Sequence, residues 1–184
     1  MSAETIGWRM PPVLTLDDLT AMMAADEFHR YEISPEGVLS VMPPPGTEHA
    51  TIASQIMFWL AAAGMPANRV HQTIGLRIPG RDGGIGGRIP DLVVWSRTPS
   101  AGVWVSVDDA LLVVEIVSPG SKDMDTVTKR AEYAAAGIPQ YWVVGQDATQ
   151  TVTMHRLTED RYEVRTMMPL AWVLNTKPAE HDLV

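Results

Sequence analysis

At 184 residues, with 46% hydrophobic and 20% charged side chains, the chain has the makeup of a single soluble domain over residues 1–184, able to bury roughly two-thirds of its unfolded surface without staples. It has no cysteine, which excludes disulfides, thiolate zinc sites and thiol nucleophiles and suits a reducing, cytoplasmic setting. Its 14 basic and 22 acidic residues leave a net charge of −8, which excludes coating nucleic acid with a broad cationic surface and leaves only a local basic cleft for a polyanion.

The first predicted element is a short helix over residues 15–25, with Thr15 as cap, Asp17 and Asp18 at its positive end, and Leu16, Leu19 and Met23 at helical spacing. Residues 30–34 and 38–42 flank Pro35-Glu36-Gly37 as a hairpin, and the run Pro43-Pro44-Pro45-Gly46 ends it. The clearest helix spans residues 48–63, with Ile52, Ile56, Trp59, Leu60 and Ala63 on one stripe and Gly64 as its stop. Within it, Met57-Phe58-Trp59 reads as core, or as a dimer stripe if exposed. A strand over residues 68–78 is followed by a loose loop, residues 79–88, holding five glycines. Valine-rich strands are predicted at 89–95 and 111–117, a helix at 125–136 closed by Gly137 and Pro139, and a buried strand at 140–144. A polar hairpin over 151–157 and 161–166 follows, and residues 167–184 stay unassigned. Strands outnumber helices, which predicts an α/β or α+β sheet with a helix on each face.

Residues 1–13 carry one arginine and two prolines but no apolar core, so they do not read as a secretory signal. The longest stretch free of charge and histidine, residues 50–68, is broken by Thr51, Ser54, Gln55, Gly64 and Pro66, short of a membrane span.

Two strands contain residues that burial alone does not explain. Glu115 sits inside Leu111-Leu112-Val113-Val114-Glu115-Ile116-Val117, a run apolar on both faces. An unpaired buried carboxylate costs several kcal/mol, so an arginine, a proton or a metal must compensate it. The structural alternatives are that Glu115 lies at an exposed strand end or pairs with Arg88 or Arg130. Asp91 opens the strand Leu92-Val93-Val94-Trp95 behind Pro90; alone it is a turn residue, but beside Glu115 it would form an oxygen site suited to Mg²⁺ or Mn²⁺. On the helix that follows, Asp125 and Lys129 are four residues apart, which by itself describes a surface ion pair. Two stripes compete there: Val127, Ala131, Ala134 and Ile138 on one side, Lys129, Tyr133 and Ala136 nearly opposite. Lys129 can serve a site only if the second stripe faces the sheet.

The ordered set Tyr31-Glu32, the proline run, His49, Pro90-Asp91, Val114-Glu115-Ile116-Val117-Ser118-Pro119, Asp125-x-x-x-Lys129, Tyr133-Ala134, Gly137-Ile138-Pro139 and Gln140-Tyr141-Trp142 resembles the Uma-two (Uma2) family, within the PD-(D/E)xK nuclease-like superfamily, over about residues 31–162. The resemblance implies a restriction endonuclease-like fold, a central mixed sheet flanked by helices with a helix and hairpin at its N-terminal end, and a divalent-metal-dependent endonuclease acting on nucleic acid, DNA in preference to RNA. It makes Asp91 and Glu115 the metal-binding carboxylates, with the Ile116 carbonyl as a third oxygen and Mg²⁺ or Mn²⁺ as cofactor. Two positions depart from the family pattern: Val117 stands where a lysine is expected and Gly145 where aspartate is common. The lysine is then Lys129, or alternatively Lys122, and would orient or deprotonate the attacking water.

Glu32 and His49 are secondary candidates, as outer-shell ligand and phosphate contact, although His49 also reads as a solvent-facing helix-start residue. Arg77, Arg81 and Arg88, beside the glycine loop, are weak candidates for nucleic-acid contact, and the loop itself reads first as a flexible connection. A homodimer would suit cutting of both strands. The competing readings are an inactive nuclease-fold binding or assembly module and a metal-dependent hydrolase of small phosphoesters.

Overall fold

Alternating burial along the strands decides where each layer goes. The computed structural model describes residues 13–26, 28–80 and 82–183. In chain order it contains α1 (Leu16–Ala25), β1 (Arg30–Ile33), β2 (Leu39–Met42), α2 (Thr47–Ala62), β3 (Val70–Gln72), β4 (Gly75–Pro79), β5 (Ile85–Arg88), β6 (Leu92–Trp95), β7 (Trp104–Ser106), β8 (Ala110–Ile116), α3 (Lys129–Ala135), β9 (Gln140–Val144), β10 (Thr151–Thr158), β11 (Arg161–Pro169) and α4 (Leu170–Val173). The expected central mixed sheet has the order β11-β10-β9-β8-β6-β3, with β8 and β9 parallel and the other pairs antiparallel.

The period of two along β6, β8 and β9 sends Leu92, Val94, Leu112, Val114, Ile116, Trp142 and Val144 to one face, against Ile52, Ile56 and Leu60 of α2. Val93, Trp95, Val113, Tyr141 and Val143 face the other way, toward Tyr133 of α3 and Leu76 and Ile78 of β4. Of the trio in α2, Trp59 is buried and Phe58 is exposed at 74%. The C-terminal stretch also joins the first core. Leu170, Val173 and Leu183 pack into it, and the Trp59 indole donates to the Thr176 carbonyl at 2.9 Å.

A second mixed sheet, β2-β1-β5-β4-β7, divides the strands more finely than the sequence suggested. Residues 68–78, expected as one strand, are split. Thr73 adopts φ +49, and this bend carries the chain from β3 in the central sheet to β4 in the second. The loop expected at 79–88 is largely a hairpin: β5 pairs antiparallel with β4, from Leu76–Arg88 to Pro79–Ile85. Its glycines serve close packing. A Cβ on Gly87 would meet Leu16 and Trp104 at 2.6–2.9 Å, and one on Gly86 would meet the Ile33 carbonyl and the Pro35 ring at 2.8 Å. The outer face of this sheet carries α1, where Leu16, Leu19 and Ile33 form a small core and Thr15 caps the helix with Asp18.

The first hairpin forms as predicted, with register Arg30–Met42 through Ile33–Leu39 and Gly37 at φ +90 in its turn. No described helix is long and apolar enough to cross a membrane. Gly86→Ala, whose added methyl meets backbone atoms, is expected to lower unfolding stability by about 1–3 kcal/mol in urea titration. Arg77→Ala, at an exposed position, should stay within about 0.5 kcal/mol of the parent.

Candidate functional site

Glu115 lies on β8 with its side chain on the Val113 face, so it points beneath α3 rather than α2, and only 3% of it is exposed. The helix above it begins with a π turn, Met124–Thr128, that leads directly into α3. Such turns are rare, occur mostly as single-turn insertions, and are frequent at functional sites. Around this one, Asp125, Lys129 and Tyr133 are buried, whereas Val127 is exposed at 58% and Ala131 also faces solvent. The second of the two candidate stripes therefore faces the sheet. The surface ion pair that the Asp125–Lys129 spacing described is instead buried, with both residues 3% exposed.

Lys129 Nζ stands 3.0 Å from Glu115 Oε1 and 3.5 Å from both Glu32 Oε2 and Asp125 Oδ1. The Tyr133 hydroxyl donates to the same Glu115 oxygen at 2.8 Å. Asp125 accepts from the Ser121 hydroxyl at 2.6 Å, and its carbonyl accepts from the Tyr141 hydroxyl at 2.7 Å. Lys122 is exposed, so Lys129 is the lysine that reaches Glu115.

Asp91 comes to the same end of the sheet through strand register. Leu92 pairs with Val114, and one step further Asp91 falls opposite Glu115. Its Oδ2 accepts from the Ile116 amide at 2.8 Å and lies 3.0 Å from His49 Nε2, while Oδ1 is 3.7 Å from an Arg30 nitrogen. His49 is accordingly 7% exposed and turned onto Asp91, which corrects the solvent-facing reading. Among the described residues, nothing donates a hydrogen bond to Asp91 Oδ1 or Glu115 Oε2.

Glu32, fully buried on β1, accepts from the Ile89 amide at 2.7 Å and from Arg88 at 3.2 Å. Arg88 also makes a two-pronged pair with Glu132 on α3, at 2.6 and 2.7 Å. This corrects the nucleic-acid role considered for Arg88: at 1% exposure, with its guanidinium held by two carboxylates, it is unavailable to a polyanion. Arg77 is exposed, but β4 alternation places it away from Leu76 and Ile78, on the outer face of the second sheet and off the site. Arg81 lies outside the described residues.

Burial, above all, raises the Glu115 carboxyl well above its ordinary range; Lys129 opposes this, and the charges of Asp91, Asp125 and Glu32 reinforce it. Burial likewise raises Asp125. For Lys129 burial works against the ammonium, but Glu115, Glu32 and Asp125 together outweigh it and raise its pKa. The surrounding carboxylates thus favour the charged form of Lys129.

Five carboxylates (Asp91, Glu115, Asp125, Glu32 and Glu132) meet three cationic side chains (Arg30, Arg88 and Lys129). Among the described residues, no three carboxylate or histidine side chains stand close enough to hold a metal by themselves. Magnesium characteristically takes one or two carboxylates, with water and substrate phosphate completing the shell. The disengaged oxygens of Asp91 and Glu115 fit that demand.

Two clefts open here. The larger, about 460 Å³, is walled by Pro43-Pro44-Pro45 and Ser118-Pro119-Gly120 and reaches Asp125 and Lys129. A smaller one of about 140 Å³ has Asp91 in its wall, and both share Arg30, Pro45 and His49. Sequence reasoning missed Arg30 and Glu132. Arg30 had a usable signal, since it lies two residues from Glu32 on one strand and hence on the same face.

A family model, Uma2, described as "Putative restriction endonuclease", matches residues 16–183. The crystal structure of "a putative nuclease belonging to DUF820" from Anabaena variabilis ATCC 29413 is similar in fold, with a TM-score of 0.57 and 20% identity, covering 73% of this chain and 75% of that one. No curated protein matches the chain.

Glu132→Ala, which strands the buried Arg88 guanidinium beside Glu32 alone, is expected to cost about 3–5 kcal/mol by urea unfolding. Arg88→Met in the same background should recover part of that loss. Because Glu115 is raised in the folded state, its contribution to stability is full below about pH 4 and is lost as pH climbs through the folded value. Glu115→Gln should therefore match the parent near pH 4 and become progressively the more stable of the two toward neutral pH. A difference that shrinks as pH rises would contradict the raised carboxyl.

Proposed function

The chain belongs to the Uma2 family, and from that premise we propose that it is a divalent-metal-dependent endonuclease that hydrolyses phosphodiester bonds in nucleic acid, DNA in preference to RNA. The observation that carries this reading is the convergence of Asp91 and Glu115 on neighbouring strands, each with one oxygen disengaged, while Lys129 sits 3.0 Å from Glu115. Mg²⁺ or Mn²⁺, when bound, would supply a Lewis acid for the scissile phosphate and a water of lowered pKa. Asp91, Glu115 and the Ile116 carbonyl would hold it.

The protein's own groups have separate duties. The Ile116 amide and His49 fix Asp91 through Oδ2 and leave Oδ1 without a hydrogen-bond donor among the described residues. Tyr133 and Lys129 fix Glu115 through Oε1 and leave Oε2 without a donor among the described residues. The Lys129 ammonium orients the attacking water and offsets charge that develops on the phosphate. Glu32, held by Arg88 and the Ile89 amide, keeps Lys129 in place from behind. A relocated lysine on α3 thus performs at Glu115 what Val117 cannot. The proline-walled cleft admits a strand locally even though the whole chain is acidic, and the absence of cysteine suits a cytoplasmic enzyme.

Incubated with plasmid and Mg²⁺ or Mn²⁺, the protein should nick or cut DNA, and chelation should stop it. Asp91→Asn, Glu115→Gln and Lys129→Ala should each slow cleavage at least about a hundredfold, with Lys122→Ala close to the parent. If the parent leaves plasmid, single-stranded DNA and RNA intact with either metal, the reading gives way to a nuclease-fold binding module.

A further inference from the structure

Arg30 and Glu32 share the inward face of β1, but only Glu32 is saturated with partners. Among the described residues nothing accepts a hydrogen bond from the Arg30 guanidinium. Its Nε is shielded from water without a partner, and the nearest carboxylate oxygen, Asp91 Oδ1, stands at 3.7 Å, outside hydrogen-bond range. A shielded donor with no acceptor is a standing cost, one the core indoles of Trp95 and Trp142 also carry, whereas Arg88, opposite Glu32 on the neighbouring strand, is fully paired. The Arg30 side chain is also 23% exposed, and it lines both clefts where they meet.

We propose that Arg30 anchors a backbone phosphate of the nucleic-acid strand at the junction of the two clefts, beside Asp91. The proposal rests on the endonuclease reading for the identity of the substrate, though phosphate binding itself does not. The planar guanidinium offers paired N–H groups that match two phosphate oxygens, a geometry an ammonium cannot supply. Its nearest carboxylate oxygen is Asp91 Oδ1, at 3.7 Å. In the free protein Arg30 partly offsets the Asp91 charge.

The test compares the parent with Arg30→Gln, Arg30→Lys and Arg77→Gln, the last on the far face of the second sheet. Inorganic phosphate is titrated at constant ionic strength while the melting temperature is read, and a fluorescein-labelled DNA duplex is cut with Mn²⁺. Phosphate should raise the melting temperature of the parent and of Arg77→Gln. Arg30→Gln should need at least about tenfold more phosphate for the same rise, and Arg30→Lys an intermediate amount. On the duplex, Arg30→Gln should raise KM about tenfold with a smaller change in kcat. Equal phosphate responses in the parent and Arg30→Gln overturn the assignment even if the parent cuts DNA. So does an Arg30→Gln protein that fails to fold, because an arginine holding the structure together is not a free anchor. If the parent cuts nothing but its phosphate response still depends on Arg30, the anchor stands and the endonuclease reading falls.

Discussion

Glu115 can occupy the middle of a buried strand because Lys129 and Tyr133 are delivered to one of its oxygens, and Lys129 can be buried because three carboxylates surround it. An unpaired charge in such a place would cost several kcal/mol, a large share of the roughly 5–15 kcal/mol that holds a domain together. The compensation is not local. It runs from Asp125 through Lys129 to Glu115 and Glu32, and on through Arg88 to Glu132. Those residues come from both sheets and from α3, so the layers are joined by charge as well as by apolar contact.

The network divides each key carboxylate in two. One oxygen of Asp91 and one of Glu115 are committed to protein donors, and the opposite oxygens are left without any among the described residues. This is a rigid arrangement, since the committed oxygen fixes the direction of its disengaged twin. It also leaves negative charge in excess, and burial raises Glu115 and Asp125. Groups held away from their ordinary ionisation at one end of a cleft are characteristic of sites that bind or react.

The second sheet is what makes the clefts. By placing β1 alongside the central layer it brings Arg30 and Glu32 in from one side, and the proline run that follows β2 leads directly into α2 and His49. Prolines build much of the cleft wall, and their backbone is already restricted. An acidic protein can in this way present an arginine at the junction of two clefts without a basic surface.

Periodicity in the sequence determined the elements whose burial is one-sided or complete: the α2 stripe, the apolar β8 and β9 runs, and the hairpin around Gly37. It also exposed Glu115 as an anomaly, because a carboxylate interrupts an otherwise unbroken pattern. The pattern fell silent where residue type does not register burial. Gly86 and Gly87 have no side chain to alternate, so a strand looked like a loop. The bend at Thr73 that separates β3 from β4 leaves no mark in hydropathy. Alanine on both sides of α3 left its orientation open until the π turn and the carboxylates beneath it selected the Lys129 face. Arg88 and Arg30 are chemically identical in the sequence. Only tertiary structure made one a buried strut, by bringing Glu132 from 44 residues away, and left the other without a hydrogen-bond acceptor among the described residues. Local pattern reports whether a residue prefers to be inside, whereas its partner there is set by contacts between distant segments.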